Sequence, residues 1–426
     1  MTLLRRRPLA ALMLFVLAIV LPGSAGTAQP PRPSPAWVGT WATGPTTVPP
    51  GSVTTLERQT FRQVVHASIG GDTVRVRLTN EFGETPLRIG AAHVARRAGT
   101  TGTDINPRTD RPLTFGGSGT ALVPPGAPLL SDPVPLALPA GGDLVISIYL
   151  PERTPVGTVH AFSFQENVIA DGDVTAARSV TPVATATQWF LLSGVSVSTR
   201  APRASAVAAF GDSITDGAVT ENGANHRWPD LLAARLRATP GVRDRGVLNL
   251  GISGNRLLHD PHPTPGAEGF AAWFGVNGLA RFDRDVLAQP GVGAAIVLLG
   301  INDIGQPGGP APASEAVTAE EIIAGHRQLI ARAHAAGIEI YAGTLLPFKG
   351  DTLGFYTEAN EAKRAAVNHW LRTSGEYDGI VDFDAAVRDP ADPLRLRPAF
   401  DSGDGLHPND AGMAAMAAAV PLHWFR

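Results

Sequence analysis

Hydrophobic and polar positions follow different rules in the two halves of this chain. From residue 37 to about residue 198 they alternate with a period of two. Residues 73–78 read Thr-Val-Arg-Val-Arg-Leu, and residues 143–150 read Asp-Leu-Val-Ile-Ser-Ile-Tyr-Leu. Such alternation buries one face of a strand and wets the other. Glycine pairs at 70–71, 116–117 and 141–142 punctuate the runs, and helical periodicity is scarce. The pattern predicts an antiparallel β-sandwich over residues 36–200. After residues 199–203 the rule changes. Short apolar runs at 206–210, 247–250, 294–299, 338–345 and 379–383 alternate with amphipathic stretches at 228–237, 280–289, 319–336 and 358–372. A last helix is expected after Asn409, a good N-cap. Strands alternating with helices predict an α/β domain over residues 204–426, built on a parallel sheet covered on both faces.

Residues 1–28 read as a targeting signal. Arg5, Arg6 and Arg7 precede an apolar run from Leu9 to Leu21, and small residues follow from Ser24 to Ala28. That order is the one a secretory signal peptide needs. The run is shorter than the roughly 20 residues that span a bilayer, which disfavours a retained anchor. The adjacent arginines also permit twin-arginine export. Residues 29–35, Gln-Pro-Pro-Arg-Pro-Ser-Pro, form a stiff extended lead. No later stretch is long and apolar enough to span a membrane. The chain of 426 residues has a formal net charge of -3, so nothing points to nucleic acid or to an anionic membrane surface as partner. It contains no cysteine, which excludes thiol catalysis, Cys-ligated zinc and disulfide bracing.

The candidate chemistry lies at the carboxyl ends of the expected parallel strands and just before the last helix, where sites on such sheets form. Residues 206–217 read Ala-Val-Ala-Ala-Phe-Gly-Asp-Ser-Ile-Thr-Asp-Gly, an apolar run that stops at Gly211, two residues before a serine. Ser213 is the candidate nucleophile, needing a base to take its proton; a plain helix-capping serine is the bland alternative. Asp404 and His407 stand three apart in Asp-Gly-Leu-His-Pro-Asn, so His407 is the candidate base and Asp404 its orienting acid. Asp401 competes for that acid role. Gly254, in Ile-Ser-Gly-Asn, and Asn302, in Gly-Ile-Asn-Asp, join the N–H of Ser213 as candidate oxyanion donors, by backbone N–H and side-chain amide respectively. Either could instead be an ordinary turn residue.

These segments do not match the Gly-x-Ser-x-Gly elbow of α/β-hydrolases. Residues 211–217 resemble the first block of the SGNH hydrolases, the GDSL esterase and lipase family. In this sequence the four named positions are Ser213, Gly254, Asn302 and His407, with Asp404 where the family's acid precedes the histidine. The resemblance covers about residues 204–426. It implies a flavodoxin-like three-layer α/β/α domain that hydrolyses esters without metal or cofactor. Residues 37–43, Trp-Val-Gly-Thr-Trp-Ala-Thr, look like the β-domain of some secreted bacterial members. The expectation is a secreted serine esterase acting on short-chain or carbohydrate-linked esters, with a lipase or phospholipase on long acyl chains as the alternative. A carbohydrate- or surface-binding protein working through its β-domain is the alternative of another class.

Smaller features stay open at this point. Trp37, Trp41 and Phe82 are either sandwich core or a sugar-stacking platform. Trp228 either walls the pocket or packs its helix. The loop at 257–276, with Trp273 and Phe274, is a candidate pocket rim, and its His259 and His262 could hold a metal. The loop at 305–313 is a candidate for substrate selection. Oligomeric state is not legible.

Overall fold

Alternation at residues 73–78 folds as expected. In the computed structural model the strand Gly71–Thr79 turns Val74, Val76 and Leu78 fully inward. The structure describes residues 36–49, 51–262 and 268–426; the segments expected as a signal and a proline-rich lead lie outside these. Gly71–Thr79 sits in a five-stranded antiparallel sheet beside Leu192–Thr199, which pairs in turn with Ala36–Ala42. A second antiparallel sheet of six strands centres on Gln59–His66 and Asp143–Leu150. The inward residues of both sheets, such as Val76 and Ile146, join one apolar cluster.

The five parallel strands lie in the order Arg245–Gly251, Ser205–Gly211, Val292–Leu298, Glu339–Gly343, Gly379–Val381. That is the 2-1-3-4-5 order of the flavodoxin-like doubly wound sheet. Ala206 to Phe210 are buried without interruption, as strands covered on both faces must be. On one side Trp228–Ala238, Phe383–Val387 and Asp410–Ala419 pack together. Gly278–Phe282, Ala319–Ala335 and Glu358–Thr373 form a second group. The caps follow the sequence: Asn409 accepts from the Gly412 N–H, and Thr318 with Glu321 forms a capping box.

Three element expectations are corrected at their ends. The strand expected at 338–345 stops at Gly343, because side chains take over the backbone partners: Leu345 N–H donates to Asn368 Oδ1. The strand expected at 379–383 stops at Val381, because the Asp382 side chain accepts from the Ala385 N–H and starts the helix Phe383–Val387. The helix expected at 280–289 is α-helical only over Gly278–Phe282 and continues as a π turn over Asp283–Leu287. There Asp285 turns inward to pair with both Arg281 and Arg284.

The β-rich half closes the open edge of the parallel sheet. Edge strand Arg245–Gly251 has one neighbour in the sheet, and its Val247 N–H donates to Ser68 Oγ. Gly39 lies so close to Leu248 that a Cβ there would stand 2.8 Å from the leucine side chain. Gly39 N–H in turn donates to Pro290 O. Of the three aromatics, Trp41 and Trp37 find partners inside the β-rich half and Phe82 reaches across the junction. Trp41 is 8% exposed and meets Trp189 edge-on at 4.9 Å, while Trp37 and Phe82 carry Arg75 and Arg284 over their rings. Trp228 is fully buried against Phe383 and packs its helix.

Candidate active site

The strand Ser205–Gly211 ends at the floor of a cleft, and a single helical turn, Ser213–Asp216, follows it. Asp212, not Ser213, caps that turn by accepting from the Ile214 N–H. Ser213 therefore occupies the first helical position. A backbone N–H there has no intrahelical acceptor, and that of Ser213 has no hydrogen-bond partner among the described residues. Ser213 Oγ lies 2.8 Å from His407 Nε2. His407 Nδ1 lies 2.6 Å from Asp404 Oδ2, while Asp404 Oδ1 accepts from the N–H groups of Leu406 and His407. Burial opposes charge on Asp404, but the hydrogen bonds from His407 and the loop backbone outweigh it. They hold the carboxyl well below its usual range. Asp401 is turned elsewhere: its Oδ1 accepts from the N–H groups of Gly403 and Gly405 and shapes the turn.

Gly254 and Asn302 meet Ser213 and His407 in the lining of one cleft. Gly254 takes φ +77°, and a Cβ on it would stand 2.1 Å from the ring of Phe274. Only glycine fits that backbone and that contact. Among the described residues Asn302 Nδ2 donates once, to Asn255 O, and Gln306 Nε2 donates to both Asn302 Oδ1 and Gly254 O. Gln306 therefore fixes which face of the Asn302 amide is turned to the cleft, leaving one N–H unspent. Arg281 is fully buried and donates to Gly211 O, Leu250 O and Asn255 Oδ1 as well as to Asp285. It ties together the two strand ends that carry Ser213 and Gly254.

Two further buried acids stand next to Ser213 and Asn302 in the sequence. Burial, ahead of the hydrogen bond from Ile214 N–H, pushes Asp212 up to about 7. Burial also raises Asp303 to about 6, against the pull of the N–H groups of Leu257 and Leu258 that it accepts. Gln306, Arg281, Asp212 and Asp303 had no role in the sequence reading. An isolated polar residue has no periodic signature; Asp212 and Asp303 sit beside motif residues, and that adjacency was the available signal.

The cleft has a volume of about 670 Å³, within the range of small-molecule sites. Its walls are mainly apolar: Phe162 and Phe164 from the β-rich half, Phe270 and Phe274 from the 257–276 loop, and Leu353 and Phe355 opposite. The expected contributions of the 305–313 loop come from Gln306, Gly309 and Pro310. Trp273 instead lines a separate hollow with Val48 and Phe190. Among the described residues, the cluster whose ligand atoms approach closely enough for a metal is Glu221, His226 and Asp410. The earlier candidates His259 and His262 are not part of it.

Residues 209–415 match the GDSL-like lipase/acylhydrolase family. No curated protein matches the chain. Solved structures similar to it include the native aryl esterase of M. smegmatis, at 21% identity and TM-score 0.38, covering 51% of this chain and 96% of that one. An α/β hydrolase from the metagenome of Lake Arreo, Spain, shares 24% identity at TM-score 0.38, covering 50% of this chain and 92% of that one. A GDSL-like lipase from Bacteroides thetaiotaomicron shares 17% identity at TM-score 0.35, covering 50% of this chain and 84% of that one.

Proposed function

Residues 209–415 form a GDSL-like lipase/acylhydrolase domain, and from that premise we propose that the chain is an exported serine esterase with Ser213 as nucleophile. The unbroken relay Ser213–His407–Asp404, with steps of 2.8 and 2.6 Å, carries this reading. His407 Nε2 takes the proton of Ser213 Oγ as that oxygen attacks the ester carbonyl carbon. Asp404 holds the imidazole in the tautomer whose Nε2 lone pair faces the serine, and it stabilises the imidazolium that forms. The oxyanion receives the N–H groups of Ser213 and Gly254 and the amide of Asn302. The carbonyl re-forms as the alcohol leaves, carrying the proton from His407. Water then repeats the sequence on the acyl-enzyme, with His407 again as base.

The aromatic lining favours an ester with a bulky apolar acyl or aryl group over an acetylated sugar. A sugar ring needs polar partners, and the walls around Phe162, Phe164, Phe270 and Phe274 offer few. Export rests on the basic, apolar, small order of residues 1–28.

The test is hydrolysis of nitrophenyl esters from acetyl to palmitoyl by the mature chain and by Ser213→Ala. Turnover that rises beyond the acetyl ester and falls about a thousandfold or more in Ser213→Ala is the expected result. Equal rates in both proteins would remove Ser213 from its role, and a strict acetyl preference would overturn the substrate class.

A further inference from the structure

We propose that His160, a residue of the β-rich half, is a positioning residue for the oxyanion site: as an imidazolium it holds Asp216, and Asp216 holds the loop that carries Gly254. The proposal rests on the serine-esterase reading above.

His160 ends the short strand Thr158–His160 and lies with its ring 5.6 Å from that of Trp189. Its Nδ1 is 2.9 Å from Gly44 O, and its Nε2 is 2.9 Å from Asp216 Oδ1. Asp216 closes the helical turn that Ser213 opens. Its other oxygen, Oδ2, accepts from both the N–H and the Oγ of Ser253, at 3.0 and 2.7 Å. Ser253 immediately precedes Gly254. One carboxylate thus clamps the two segments that supply the Ser213 and Gly254 N–H groups, and one histidine from outside the hydrolase domain anchors it. His160, Asp216 and Ser253 are 2%, 3% and 8% exposed, so water cannot replace these bonds.

The hydrogen-bond pattern sets the charge. A carbonyl oxygen only accepts, so Nδ1 carries a proton. An ionised carboxylate only accepts, so Nε2 carries one too. A neutral imidazole could serve one of the two partners and would turn a lone pair on the other. Burial lowers the histidine's pKa, but attraction to Asp216 and the bonds to Asp216 and Gly44 outweigh it, and the result lies above the ordinary 6.5. Arg227, itself paired with Asp230, opposes that charge. Beyond Asp216 lies the Arg281–Asp285 pair. A raised histidine pKa means that the clamp is complete below pH 6.5 and is lost as pH rises through the raised value. Activity therefore has an alkaline limb set by His160.

The experiment measures kcat and KM from pH 5 to 10 on an acetyl nitrophenyl ester, whose small acyl group does not depend on the aromatic walls. Wild type, His160→Gln and Ser213→Ala are compared. In His160→Gln, kcat is expected to fall about tenfold to a hundredfold, as small misplacements of a site do. KM should stay within about threefold, and the alkaline fall should vanish. A His160→Gln profile that keeps the wild-type kcat and alkaline limb would overturn the proposal. Turnover in Ser213→Ala at the wild-type rate would instead overturn the serine-esterase reading, independently of His160. Should His160→Gln not fold, nitrogen-15 NMR of the wild-type histidines gives the answer. A His160 imidazolium at pH 7, with a midpoint matching the alkaline limb, supports the clamp; a neutral His160 at pH 7 refutes it.

Discussion

Asp404 and Asp401 stand three residues apart, and their oxygens separate the two roles that sequence spacing left open. Asp404 reaches the His407 ring at 2.6 Å, whereas Asp401 accepts backbone N–H groups within its own turn. Ser213, Asp404 and His407 stood out in the sequence because their types, after a strand end and just before the last helix, restrict the chemistry. Gln306, Arg281 and His160 were not. Each gains meaning only when the fold brings a partner from elsewhere in the chain: 52 residues away for Gln306 and Gly254, and 56 for His160 and Asp216. Asn302 has one amide N–H unspent after its bond to Asn255. Replacing it with alanine is expected to lower kcat by about 10²–10³-fold with KM nearly unchanged, since the oxyanion is present only in the transition state. Steady-state kinetics at saturating ester checks this, and an unchanged kcat would remove Asn302 from the oxyanion site.

Whole strands and helices were largely readable, and their last turns were not. The parallel strands announced themselves as apolar runs. Their ends were decided by side chains such as Asn368 and Asp382, which compete with the sheet for backbone partners. The same limit applied to the loop from Ala161 to Glu166, which has no periodicity yet delivers Phe162 and Phe164 into the cleft. Phe162 faces Phe270 at 6.3 Å and Phe270 meets Phe274 at 5.4 Å, so one wall spans both halves of the chain. Phe164→Ala is expected to lower kcat/KM for octanoyl nitrophenyl ester about tenfold while leaving the acetyl ester within about threefold. That follows from losing one aromatic contact with a bound chain, worth about 1.5 kcal/mol. A parallel loss on both esters would show that Phe164 shapes the fold rather than the acyl site.

Across the entire chain, the two patterns of alternation foretold two architectures but not their dependence on each other. The expected boundary near residue 200 runs between strands that share one apolar cluster. The β-rich half supplies Ser68 and Gly39 to the sheet edge and His160 to Asp216, the carboxylate that holds Ser253. Residues 201–426 expressed alone would expose Leu248 and leave Val247 N–H without its acceptor. They are expected to melt at a clearly lower temperature than residues 36–426, or to lack a cooperative transition, in thermal unfolding followed by circular dichroism. Equal melting temperatures would show that the hydrolase half is self-sufficient.

The most direct test of the account is covalent trapping. The protein is treated with a fluorophosphonate ester and the modified peptide is located by mass spectrometry, alongside Ser213→Ala and His407→Ala. The account predicts one adduct, on Ser213, absent from Ser213→Ala and formed far more slowly in His407→Ala. Labelling of another residue, or equal labelling of all three proteins, would contradict it.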